Sequence, residues 1–283
     1  MKLIECPRDA IQGLENFIET DKKVAYLNYL LSLNLFDVID FGSFVSPKAM
    51  PQMADTSEVI QHLNKANSKT KLLAIIANER GATDAVKYES VDFLGFPFSV
   101  SETFQQRNTN SSIAESLEVV KKINTLAIQH DKELVLYLSM AFGNPYGDEW
   151  NEEIINKWLE TFHEMGVKTV SLSDTIGVAD APSIERICKH AVKSFPEMEI
   201  GVHLHTTSET SLSKIKAAES AGITRFDGAM LGYGGCPMAK DELVGNMPME
   251  DLLTYFGVTS DAQTEELKSR FLELINLSNV PTH

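Results

Sequence analysis

The chain has 283 residues, 43% of them hydrophobic, and carries 40 acidic against 25 basic side chains for a formal net charge of −15. That charge opposes phosphate backbones and anionic lipid surfaces, so nucleic acid is not an expected partner, and no apolar run approaches the roughly 20 residues of a membrane span. Three scattered cysteines, Cys6, Cys188 and Cys236, frame neither a disulfide scaffold nor a Cys-based zinc site and read as free thiols of a reducing compartment; with a strand opening at Lys2-Leu3-Ile4-Glu5 and no basic, apolar leader before it, the expected location is the cytoplasm.

Apolar strand-like runs alternate with amphipathic helical segments from end to end, the pattern of parallel strands joined by helical crossovers. Eight runs are expected as strands: 2–6, 38–44, 72–77, 93–98, 134–140, 169–174, 199–205 and 225–230. Eight strand–helix units in a chain of this length predict one α/β domain over 1–283, a (β/α)8 TIM barrel with its site at the C-terminal ends of the strands. A doubly wound open sheet is the alternative. Ser112 with Glu115 predicts a capping box, and Ile154, Ile155, Trp158, Leu159, Phe162 and Met165 form an apolar helical stripe stopped by Gly166. Pro182 and Pro248 suit first helical turns, and Gly222 closes a helix bearing Leu212, Ile215 and Ala218. Residues 260–283 read as a C-terminal helical extension with a short polar end, available for packing or for a homodimer or other homo-oligomer.

The strand ends are rich in polar side chains. After the first comes Pro7-Arg8-Asp9, in which Asp9 offers a hard oxygen ligand and Arg8 a fixed positive fork for a carbonyl or carboxylate oxygen; elsewhere such a dipeptide reads as a surface pair. The second run carries Asp40, then Ser43 and a Ser46-Pro47-Lys48 turn, and the sixth delivers Ser171, Ser173 and Asp174, the last also suited to cap a helix. In Gly201-Val202-His203-Leu204-His205 a strand sends alternate side chains to one face and aims both imidazoles at one point, where they hold a divalent metal or are satisfied by ordinary hydrogen bonds. The eighth run leads into Gly232-Tyr233-Gly234-Gly235-Cys236-Pro237. This glycine-rich loop reads as a lid carrying a thiol, as a plain turn, or as a phosphate cradle, though without the Gly-Lys-Ser/Thr ending of a P-loop.

Six stretches resemble, in family order and over nearly the whole chain, the motifs of the 3-hydroxy-3-methylglutaryl-CoA lyase family of metal-dependent barrels. They are Pro7-Arg8-Asp9 with Gln12, Ser43-Phe44-Val45-Ser46-Pro47-Lys48 with Pro51-Gln52-Met53, Ser171-Leu172-Ser173-Asp174-Thr175-Ile176-Gly177, His203-Leu204-His205, Gly234-Gly235-Cys236-Pro237 and Gly245-Asn246. The resemblance implies that Asp9, His203, His205 and Asn246 ligate the metal, which as a set of two nitrogens and two oxygens suits Mg2+ or Mn2+ better than zinc. It implies an acyl-CoA substrate cleaved between C2 and C3 to acetyl-CoA and acetoacetate, as in leucine degradation or ketone-body metabolism. Asp9 or His203 would take the hydroxyl proton, Arg8 would stabilise the enolate oxygen, and Cys236 on the lid would help protonate C2, with Asp40 and Asp174 completing the catalytic set.

Some positions depart from the family pattern. Ala10 stands for a glycine, Asp40 for a glutamate, Asn144 for a cysteine and Thr206 for an aspartate, and an acidic residue expected shortly after Arg8-Asp9 is missing. Within the superfamily the rival reading is a Claisen-type acyl-CoA synthase, against which the Gly-Gly-Cys-Pro lid speaks. A metal-dependent hydrolase carries its His-x-His on the first strand rather than the seventh. The departures motivate one further reading, a metal-binding barrel without turnover.

Overall fold

The computed structural model describes residues 1–234 and 244–275. Its strands are β1 Lys2–Glu5, β2 Val38–Ser43, β3 Lys71–Ile75, β4 Phe93–Ser99, β5 Glu133–Ser139, β6 Thr169–Ser173, β7 Glu199–His203, β8 His205–Thr206, β9 Arg225–Gly228 and β10 Gly245–Asn246. Strands β1 to β7 and β9 close in chain order into a parallel barrel, sealed where Lys2 to Glu5 pair with Arg225 to Gly228, while β8 and β10 form a separate antiparallel ladder. This is the TIM barrel expected from the alternation of runs, and the closing pair rules out an open sheet. Both faces of a parallel barrel strand are covered, which is why β2 is buried over its whole length, Asp40 and Ser43 included.

Three expectations about the strand ends need correction. The seventh run stops at His203, and His205 belongs to β8, bonded across to β10 instead of continuing the barrel. The eighth ends at Gly228, and Met230–Gly232 then turns tightly with Leu231 at φ 57°. Pro7-Arg8-Asp9 is not a loop but the opening of a short helix, Pro7–Ile11, with proline at its first position, where no backbone N–H is needed.

The helices follow their signals more closely. Ser112 and Glu115 make the reciprocal cap of Ile113–Gln129; Ile155, Leu159 and Phe162 of Glu152–Glu164 are buried; and Gly166 follows in left-handed backbone at φ 75°. Leu212 is half exposed, because Ser211–Ser220 turns Lys214, Ile215 and Ala218 inwards, and Pro248 caps Met249–Tyr255 from outside instead of sitting in its first turn. The C-terminal helix Asp261–Leu274, capped by Ser260, packs Phe271 on Tyr26 with ring centroids 6.0 Å apart. Among the described residues no helix is long and apolar enough to cross a membrane. Cys6 and Cys188 are buried and free; Cys236 lies outside the described residues.

Candidate active site

The C-terminal ends of the strands open on a cavity of about 310 Å³. Its polar lining includes Arg8, Asp9, Gln12, Asp40, His203 and His205, and its apolar wall is built from Val45, Met50, Ile75, Pro97 and Phe104. On the first-strand side the short helix brings Arg8, Asp9 and Gln12 onto one turn. Arg8 donates from Nε and Nη2 to Asp40 Oδ2 at 3.0 and 2.5 Å, and from Nη1 to Asp9 Oδ1 at 3.1 Å and Gln12 Oε1 at 2.8 Å. A guanidinium has five N–H groups, so one, on Nη2, is left for a substrate oxygen. Asp40 reaches Arg8 beside a register shift between Asp40 and Gly42 in the β2–β3 pairing, a bulge that re-aims the strand. Burial lifts the Asp40 carboxyl to about 6 against the pull of Arg8, with Asp9 and Asp227 adding to the rise, and its Oδ1 has no hydrogen-bond partner. Asp9 is held below the usual carboxylate range: burial opposes this, but the charges of Arg8 and His203 and the Asn246 hydrogen bond outweigh it.

On the other side, the ladder register sets Asn246 opposite His205, and the two imidazole rings of His203 and His205 stand 5.7 Å apart. Asn246 Nδ2 donates to Asp9 Oδ2 and to the Tyr233 carbonyl, both at 2.8 Å, and this leaves Asn246 Oδ1 buried without a partner. His203 lies with Nε2 3.6 Å from Asp9 Oδ2 and Nδ1 3.4 Å from Asp227 Oδ2. Burial lowers the affinity of His203 for protons, yet Asp227 and Asp9 prevail and raise it above the ordinary value; His205 is pushed down to about 3 by burial and by His203.

These four residues fit a hard divalent ion. Asn246 presents an amide oxygen with no other use, Asp9 is ionised, His205 is neutral, and His203 turns one nitrogen to a carboxylate and the other to the cavity, as ligating histidines do. A tighter cluster exists: the donor atoms of Cys6, His203 and Asp227 all lie within 4.8 Å of one another, a spacing that Asp9, His203 and His205 together do not meet. It makes the poorer metal site, since burial and four neighbouring carboxylates push the Cys6 thiol well up and keep it protonated, and its Sγ is turned to the Ile4 carbonyl.

Other expected site residues sit elsewhere. Asp174 does not line the cavity; its Oδ2 takes Lys214 Nζ at 2.8 Å, its Oδ1 takes the Ala179 N–H, and Lys214 also donates to the His205 carbonyl at 2.6 Å. Asp174 therefore holds the His205 backbone through Lys214. Asn144 organises its own loop, accepting from the Tyr146 and Asp148 N–H groups, and Thr206 is buried beside Asn246. Two members of the site were not singled out from the sequence. Asp227 and Lys214 are charged residues at buried positions of elements with mixed polarity, so no break in an apolar pattern announces them.

The HMGL-like family profile matches residues 3–277. The chain belongs to the HMGL-like family. It is 33% identical over 266 residues to a hydroxymethylglutaryl-CoA lyase of Bacillus subtilis, covering 93% of this chain and 88% of that one. It is 34% identical over 254 residues, 89% of this chain and 83% of the other, to a 3-hydroxy-3-isohexenylglutaryl-CoA/hydroxymethylglutaryl-CoA lyase of Pseudomonas aeruginosa. Among solved structures, an HMG-CoA lyase of Acinetobacter baumannii in complex with coenzyme A and 3-methylmalate superposes with a TM-score of 0.88 at 28% identity, over 98% of this chain and 91% of that one.

Proposed function

We propose that this chain is a carbon–carbon lyase that cleaves 3-hydroxy-3-methylglutaryl-CoA between C2 and C3 into acetyl-CoA and acetoacetate, with Asp9, His203, His205 and Asn246 holding Mg2+ or Mn2+. The observation that carries the reading is the convergence of Arg8, Asp9, His203 and His205 at one cavity of an HMGL-like barrel, with Asn246 bonded to Asp9 and paired opposite His205, its Oδ1 unpartnered. A divalent ion held by these residues would supply Lewis-acid polarisation of a substrate oxygen.

The chain's own groups divide the remaining work. Asp9 already accepts hydrogen bonds at both oxygens, and His203, with Nδ1 turned to Asp227, has Nε2 3.6 Å from Asp9 Oδ2, where the proposed ion would be held, so both bases expected from the sequence would be committed to the ion. Asp40 is better suited: the residue lines the cavity, its buried Oδ1 has no hydrogen-bond partner, and its carboxyl sits near 6. Its deprotonated form accepts the proton at Oδ1, the C2–C3 electron pair moves toward the thioester, and the spare Nη2 proton of Arg8 meets the oxygen on which charge develops. C2 is then protonated, a role given to Cys236 on the resemblance. Asp174 holds the backbone of His205 through Lys214 and does not touch the reacting atoms.

The apolar wall of Val45, Met50, Ile75, Pro97 and Phe104 favours a second reading in which a bulkier apolar group at C3 is also accepted. A coupled assay of acetyl-CoA release across 3-hydroxyacyl-CoAs differing at C3 tests both; no release from any of them defeats the lyase reading. Two buried free cysteines among the described residues support a reducing compartment such as the cytoplasm.

A further inference from the structure

Inside the barrel, Asp227 is fully enclosed. Its Oδ2 lies 3.4 Å from His203 Nδ1 and accepts Ser171 Oγ at 3.4 Å, and its Oδ1 has no hydrogen-bond partner and stands 3.9 Å from Arg225 Nε. Strand register builds this stack, because β7 and β9 pair Gly201 with Arg225 and His203 with Asp227. Arg225 is 1% exposed and occupies the space a side chain at 201 would need, since a Cβ there falls 2.8 Å from Arg225 Cδ. From Nη1 it reaches Glu199 Oε2 at 3.4 Å, while Nε and Nη2 make no hydrogen bond. A buried ion pair adds little net stability, as an apolar pair of the same volume serves as well or better. What this pair supplies is direction: it ends on the inner nitrogen of His203, opposite the nitrogen that faces Asp9.

We propose that Asp227 is a positioning residue for His203, holding the ring through Nδ1 so that Nε2 is presented to Asp9 and the ion, and that Arg225, seated over Gly201, holds Asp227 in turn. The inference rests on His203 being a metal ligand. A carboxylate behind a ligating imidazole settles both its tautomer and its ring orientation. The competing role for the same atoms is direct ligation by Asp227, His203 and Cys6, which share one close group.

The test is Mn2+ binding to the full chain, read by titration calorimetry and by the spin-resonance spectrum of the bound ion, alongside kcat and KM. Asp227→Asn is expected to weaken Mn2+ by about 10–100-fold and to lower kcat more than it changes KM, and to cause no further loss in a His203→Ala background. Because removing one member of a buried pair can unfold the barrel, the charge-neutral variant Arg225→Gln/Asp227→Asn is measured as well and is expected to lose the same affinity. Wild-type affinity in either variant overturns the proposal, and so does an equal loss with and without His203. A matching loss in Cys6→Ser makes Asp227 a ligand and overturns it too. If His203→Ala itself binds Mn2+ like the wild type, the metal-site reading fails together with the proposal.

Discussion

Around Arg8 the hydrogen bonds run from 2.5 to 3.1 Å and join Arg8, Asp9, Gln12 and Asp40 into one charge-assisted network. Around His203, by contrast, the nearest carboxylate oxygens stand 3.4 and 3.6 Å away, and Asn246 Oδ1 has no partner. The first region is held by its own charges and needs nothing else to set the Arg8 fork. The second keeps a buried amide oxygen without a partner and only long contacts around its imidazole, the condition under which a cation is worth more than another side chain. The lesson is that one half of the site is preorganised for the charge that develops during reaction, and the other is organised by what it binds.

If the proposed ligands hold an ion, removing it should disturb the second region and leave the first intact. Chelation is expected to abolish turnover, with Mg2+ or Mn2+ restoring it and raising stability by ~2.7 kcal/mol at a hundredfold excess over Kd, read as a shift in thermal midpoint. Full activity in demetallated protein would erase the distinction. Within the first region, Asp40→Asn is expected to lower kcat by ~10²–10⁴-fold and to remove an acid limb of kcat/KM near pH 6. The stability sign runs the other way. Because the folded carboxyl sits at about 6, above its ordinary 3.8, Asp40 contributes stability below pH 4 that is lost as pH rises through 6. That loss amounts to about 3 kcal/mol, so urea titrations from pH 4 to 7 should be flatter in Asp40→Asn than in the wild type.

Arg8→Gln should reduce kcat by ~100-fold with KM nearly unchanged and Mn2+ still bound. Parallel loss of Mn2+ would mean the two regions are one. Gly234 touches both: it has φ +97°, and a Cβ on it would lie 2.5 Å from Asn246 Nδ2 and 2.7 Å from the Asp9 carbonyl oxygen. Gly234→Ala is therefore expected to cost ~10-fold in activity through misplacement of the two ligands, checked by steady-state rates at saturating Mn2+. The smallest effect belongs to Asn144→Ala, which removes loop hydrogen bonds outside either region and should cost ~1 kcal/mol in denaturant unfolding with turnover little changed.

The same division governs what could be read from the chain. Arg8, Asp9 and Gln12 are neighbours in sequence and on one helical turn, so their cluster was legible although their helix was not: five residues carry too little periodicity to register. The barrel was legible because its signal repeats eight times. The β8–β10 ladder was not, since two-residue strands have no pattern, and so His205 was assigned to the barrel wall. Asp174 read as a site residue because its partner, Lys214, lies 40 positions away and on another element. Asp227 and Arg225 fell inside an apolar run; that they face inward follows only from the register with β7.

The bond from Asn246 Nδ2 to Asp9 Oδ2 spans 237 positions of sequence. Along this chain a ribosome delivers Asp9 before, and Asn246 after, the strand β9 that closes the ring against β1. A nascent chain halted before β10 holds the acidic side of the centre and lacks the amide that braces it. Closing the ring is therefore not enough: the amide that braces Asp9 is added only with β10, one step after the barrel is sealed.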